Sequence, residues 1–136
     1  MNITIISVGK IKEKYFTAAI DEYSKRLSRF AKLNIIEVAD EKIPDNASEK
    51  EMEQIKEKEG NKILAKLPQN SFVVTLCIEG KEHSSEELAK KIADISMTSS
   101  HITFIIGGSL GLSDTVKSKS ALRLSFGKMT LPHQLI

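Results

Sequence analysis

Two short runs do most to limit what this chain can become. Phe72 to Ile78 (FVVTLCI) and Ile102 to Ile106 (ITFII) are nearly unbroken apolar stretches rich in β-branched residues. A strand with one wet face alternates polar and apolar positions, so continuous runs of this length indicate strands covered on both faces, as in a parallel sheet flanked by helices. The segment between them fits. Ser84 with Glu87 three residues on has the form of a capping box, and Leu88, Ile92 and Ile95 follow at helical spacing. Strand, crossover helix and strand make one βαβ unit.

The alternation extends in both directions. Asn2 to Val8 (NITIISV) reads as a strand stopped at Gly9, and Glu13 to Phe30 as an amphipathic helix carrying Phe16, Ile20, Tyr23, Leu27 and Phe30. Leu33 to Val38 is a second strand, and Asp40 to Ala47, with Pro44, Asp45 and Asn46, is a loop. Ser48, with Glu51 as its capping-box partner, opens a helix that runs to about Leu67 before Pro68. Beyond Ile106 the glycines of GGSLG (107–111) turn the chain, Ser113 to Ser120 holds a short helix, and Leu122 to Phe126 is a last strand. Gly127 to Pro132 reads as an irregular loop, and Pro132 is able to start another helix. The expected architecture is a single α/β domain over 1–136, an open, mostly parallel sheet with helices on both faces and the Phe72 strand central. In such sheets ligands sit outside the carboxyl ends of the strands, which nominates the loops after Ile78, Ile106 and Phe126.

Size and composition agree. A chain of 136 residues buries roughly two-thirds of its unfolded surface and needs no staples. Cys77, the single cysteine, lies inside an apolar strand and reads as a buried thiol. Met1 to Val8 lacks the basic leader and cleavage pattern of a signal peptide, and no window reaches the ~18 apolar residues of a membrane span, so the expected location is the cytoplasm.

Little of the chain announces its chemistry. Gly107, Gly108 and Gly111 follow a buried strand, where missing Cβ atoms serve a close-approaching ligand and a plain tight turn equally well. Neither a dinucleotide fingerprint nor a P-loop is present, since Gly80-Lys81 is followed by Glu82. His83, His101 and His133 are far apart, with no cysteine or carboxylate at ligand spacing, so no metal site is expected, and His101 reads as a surface residue. No serine stands in a nucleophile-elbow context. Net charge is only +2, but no acid follows Asp114 while Lys117, Lys119, Arg123 and Lys128 do. A second acid-free run holds Lys25, Arg26, Arg29 and Lys32. Such runs are solvated faces or phosphate-contacting ones, and a neighbouring ligand crevice favours the second.

Taken together, ISVGKIKEKYF near the start, FIIGGSLGLS in the middle and LSFGKMTLPHQL at the end resemble the ribosomal RNA large subunit methyltransferase H family, of the SPOUT class. The resemblance runs along essentially the whole chain. It implies a trefoil-knotted α/β fold, a homodimer, and transfer of a methyl group from S-adenosylmethionine to N3 of a pseudouridine in 23S ribosomal RNA, within the large subunit or assembled ribosome. It places the cofactor on Leu76, Gly108, Gly127, Lys128, Met129, Thr130, Leu131 and Pro132, in the three loops that topology nominates. It assigns no catalytic base; His133, beside the cofactor segment, is either a proton acceptor or a structural histidine. Family members continue into a C-terminal helix and polar tail expected to thread the knot, pair across the dimer and reach the RNA, whereas this sequence ends at Ile136. The alternative expectation is therefore a truncated, inactive relative serving as an RNA-binding or dimerisation module. A nucleotide hydrolase would need a phosphate-binding lysine motif or an acidic metal cluster, and the sequence has neither.

Overall fold

A computed structural model describes residues 1–136 as five strands and four helices in strict alternation. These are β1 (Asn2–Val8), α1 (Lys14–Leu27), β2 (Lys32–Val38), α2 (Glu49–Lys66), β3 (Phe72–Glu82), α3 (Ser85–Ser96), β4 (His101–Ile106), α4 (Asp114–Ser118) and β5 (Leu122–Ser125). The strands form one sheet in the order β2-β1-β4-β3-β5, and every pairing is parallel. The middle strand is β4, while β3 is interior beside it. That differs slightly from the expectation of a central Phe72 strand: an apolar run reports cover on both faces, which two interior strands share.

Side-chain alternation divides the sheet into two cores. On one face Ile6, Val8, Val38, Val73, Cys77 and Ile105 pack with Ile63 of α2 and Val116 of α4. On the other, Val74, Ile102 and Leu124 pack with Ile95 of α3, bordered by Leu88 and Ile92. Right-handed crossovers put α1 on the α3 side, because both β1 to β2 and β3 to β4 step the same way along the sheet.

Caps explain the helix starts. Ser84 and Glu87 close a full capping box on α3, the Glu87 backbone N–H donating to Ser84 Oγ and the Ser84 N–H donating to the Glu87 carboxylate. At Ser48 only half of the expected box forms. Its Oγ accepts from the Glu51 N–H, but its hydroxyl donates to the Glu51 carboxylate, which therefore does not reach back to the backbone. No helix is long and apolar enough to cross a membrane.

Helix α1 departs most from expectation. Its apolar stripe does not enter the core: Phe16 and Ile20 are half-buried, whereas Tyr15, Tyr23, Leu27 and Phe30 are exposed, Phe30 by 80%. Ser24 and Ser28 sit over a hollow shared with Leu33 and Ile35 of β2, so small residues on the inward edge leave the stripe facing outward. Helical periodicity reveals that a face is apolar without revealing what covers it.

Candidate functional site

The chain leaves β1 and β4, which are neighbours, toward opposite faces of the sheet, and a crevice opens at their carboxyl ends. It is a cavity of about 640 Å³ bounded by Val8 and Gly9 after β1, Leu76 to Glu79 of β3, Ile106 to Leu112 after β4, and the segment after β5. Of the residues nominated by sequence, Leu76, Gly108, Gly127, Met129, Thr130, Leu131 and Pro132 line it together. Lys128 does not, and its side chain is exposed.

The glycine turn is both a tight turn and a cavity wall. The Gly111 N–H donates to the Gly108 carbonyl at 3.0 Å, and the two residues form an isolated antiparallel bridge. A Cβ on Gly107 would stand 2.9 Å from the Gly111 carbonyl carbon. A Cβ on Gly108 would meet Val8 Cγ1 at 3.1 Å and Glu59 Oε1 at 3.3 Å. The glycines thus let the turn press onto β1 and α2, and the free backbone edge faces the cavity.

The opposite wall comes from a feature invisible in the sequence. β3 pairs with β5 through Leu76↔Leu124 and then again through Lys81↔Leu124, so Cys77 to Gly80 bulge out between two registers. Gly80 allows this, since a Cβ there would lie 2.8 Å from the Arg123 and Leu124 backbone. The strand therefore does not end at Ile78. The bulge carries Glu79 to Lys117 of α4, at 2.6 Å. Hydrogen bonding between them holds the Glu79 carboxyl below its ordinary range and the Lys117 ammonium above it. Lys117, counted by sequence with the basic end, is thus occupied within the wall.

Ser125 ties the last loop to β3. Its buried Oγ accepts the Gly127 N–H at 3.1 Å and lies 2.9 Å from the Ile78 carbonyl and 3.1 Å from the Gly127 carbonyl, to which its hydroxyl donates. Gly127 follows at φ +124°, a conformation that side chains rarely adopt, with open space where a Cβ would stand. Ser125→Ala is expected to release this loop, weakening ligand binding in the cavity about tenfold, the scale of one buried hydrogen bond with its partners left unpaired. Calorimetric titration beside a thermal melt checks this, the melt moving little.

His101 is no surface residue: it is half-buried, and its Nε2 lies 2.7 Å from Thr4 Oγ1. His133 lines the cavity with Nε2 buried and without a hydrogen-bond partner, 3.1 Å from where a Gly9 Cβ would be. Residues 132–136 form a turn closed by the Leu135 N–H on the Pro132 carbonyl, not the start of a helix. Behind the glycine turn lies Glu59, one of several acids on α2 and marked by no sequence motif. It is only 5% exposed. Burial raises its carboxyl above the ordinary range, opposed in part by the Glu41 backbone N–H.

A family model described as "Predicted SPOUT methyltransferase" matches residues 1–136. The chain belongs to the SPOUT methyltransferase family. It is 63% identical to "Ribosomal RNA large subunit methyltransferase H" of Clostridium botulinum (strain Kyoto / Type A2), over 99% of this chain and 86% of that protein. It is 60% identical to the protein of the same name from Clostridium novyi (strain NT), over 100% of this chain and 86% of that one. The trefoil knot is the architecture that SPOUT membership implies, and the parallel sheet described above is its frame. As a SPOUT methyltransferase the chain handles a methyl donor.

Proposed function

We propose that this SPOUT methyltransferase binds S-adenosylmethionine in the cavity and methylates ribosomal RNA, at N3 of a pseudouridine in 23S ribosomal RNA. The observation that carries the reading is the convergence of Leu76, Gly108 and the Gly127 to Pro132 segment on one cavity. Its volume falls in the range of small-molecule sites, about 300–1,000 Å³. The walls suit the group: apolar side chains of Leu76, Ile106 and Leu131 offer surface for an adenine, and open space beside Gly111 and Gly127 leaves their backbone accessible. S-adenosylmethionine supplies an electrophilic methyl carbon on a sulfonium.

The chain's own residues hold, orient and exclude water. Leu76 of β3 and Gly108 of the turn after β4 line the cavity together with Met129 and Thr130, and Ser125 fixes the start of the Gly127 to Pro132 loop. Orientation of this kind accounts for much of the barrier reduction in a bimolecular transfer. An imide nitrogen must lose its proton to accept a methyl group, and the titratable groups on the wall besides Cys77 and Lys117 are Asp40, Glu79 and His133. Incubating the full-length protein with methyl-labelled donor and purified ribosomes tests the function. Label in 23S ribosomal RNA supports it, and labelled donor left intact with every ribosomal substrate refutes it.

The exposure of four large apolar side chains on and just after α1, Tyr15, Tyr23, Leu27 and Phe30, supports a homodimer, since apolar surface concentrated on one element of a small domain suits an interaction site. Sedimentation equilibrium at twice the chain mass is the expected result. For RNA, Lys25, Arg29 and Lys32 are exposed, with Lys119, Arg123 and Lys128 a second exposed group. Arg26 is already paired to Glu22 at 2.9 Å. Charge reversal at Arg26 and Arg29 together should flatten the salt dependence of RNA binding by about 1.5 in log–log slope, with Arg29→Glu alone giving the larger share. An unchanged slope would return the patch to plain surface. The absence of a membrane-crossing helix and a ribosomal substrate favour a cytoplasmic location.

A further inference from the structure

Glu59 is a carboxylate placed where an ordinary fold has no use for one. It lies on α2, is 5% exposed, and forms no salt bridge. Its one hydrogen bond is from the Glu41 backbone N–H to Oε2, at 3.0 Å. The nearest lysine is taken: Lys62 bridges Glu41 at 2.7 Å and donates to the Ala39 carbonyl. A buried carboxylate left this way costs free energy that a packed leucine or glutamine would not. What it faces is the glycine turn, with Oε1 and Oε2 at 3.3 Å and 3.5 Å from the Cβ position of Gly108. Gly108, which the carboxylate approaches from behind, is itself a cavity-lining residue.

The cavity's remaining charges point the same way. Asp40 lines it, Glu79 is neutralised by Lys117, and the one other basic group is the His133 imidazole. With Glu59 behind the turn, the wall carries a net negative field in a region partly closed to water, where charges act more strongly than on the surface. We propose that Glu59 is a specificity-determining residue that makes the cavity select a cationic ligand, its carboxylate supplying through the glycine turn the counter-charge to a positive group on the methyl donor. This rests on the reading of the cavity as the donor site. It also accounts for the second glycine of the turn, because a side chain at 108 would move the carboxylate and the ligand-facing backbone apart.

Two ligands that share an adenosine but differ in charge provide the test. S-adenosylmethionine carries a sulfonium, an ammonium and a carboxylate, with one net positive charge, while 5′-methylthioadenosine is an uncharged thioether without the amino-acid tail. Titrated calorimetrically, Glu59→Gln in the full-length protein should lose about tenfold in affinity for the cation, with the thioether changed by less than about twofold. Equal weakening of both ligands would make Glu59 merely structural, and no weakening of either would make it irrelevant; each overturns the proposal. A wild-type measurement guards against a variant that fails to fold. Burial raises the Glu59 carboxyl, so as the pH falls the wild type should lose more cation affinity than Glu59→Gln does, while thioether affinity stays level in both. The groups facing Glu59 are Asp40, Glu41 and Lys62, the last two paired with each other. Parallel pH profiles for the two ligands would overturn the proposal. Failure of the wild type to bind either ligand at any pH would remove the donor-site reading and the proposal with it, a result distinct from all the others.

Discussion

Gly108→Val is expected to abolish methyl-donor binding, with a loss of at least about a hundredfold, or about 2.7 kcal/mol. The cause is indirect. A Cβ at 108 points away from the cavity, into the gap between Val8 and the Glu59 carboxylate. Valine adds two methyl groups to a space already short by a few tenths of an ångström, and β1 and α2 are both anchored in the core. The turn must therefore be pushed outward into the room where the ligand sits. Calorimetry reads the binding, and circular dichroism checks that the sheet survives. Donor affinity within about threefold of wild type in a folded variant would show that the turn is no part of the site.

The second large effect falls on stability. Ile105→Ala should cost about 2–5 kcal/mol, because it removes three carbons from a fully enclosed position and leaves a cavity behind. Ile105 is 0% exposed on the middle strand, in the cluster that joins β1, β3, α2 and α4. It also directly precedes Ile106 and the glycine turn, so the site should loosen along with the core. Urea denaturation measures the change. A shift below about 1 kcal/mol would mean the site collapses without strain, against the packing described here. Excess donor should recover part of the loss by mass action, about 2.7 kcal/mol at a hundred times the dissociation constant.

Much of this fold is legible in the residues, and for identifiable reasons. β1 begins and ends where the NITIISV run does, and α3 starts at Ser84 because a capping box is a local device that needs no tertiary help. Parallel order follows from the apolar continuity of β3 and β4. Those signals also place the cavity, since the carboxyl ends of the strands are fixed once the sheet is parallel.

What escapes the sequence depends on partners distant along the chain. The Cys77 to Gly80 bulge exists because Leu124 pairs twice with β3, which no local pattern encodes. Lys117 reads as a free base until Glu79 is brought to 2.6 Å. Glu59 sits among charged neighbours, and only tertiary packing of Gly108 and Val8 shows it to be buried. His101 hides for the same reason, since Thr4 lies ninety-seven positions away. The α1 stripe gives the opposite error, an apolar face correctly recognised whose cover is not the domain's own core.

The central claim is that the cavity formed by Leu76, the Gly108 turn and the Gly127 to Pro132 segment is a methyl-donor site. Titrating the full-length wild-type protein with S-adenosylmethionine in a calorimeter, with Gly108→Val alongside, tests it most directly. Saturable binding of one donor per chain by the wild type, lost in the folded variant, is the predicted result. A folded wild-type protein that takes up no donor, or a variant that binds as tightly as the wild type, would contradict it.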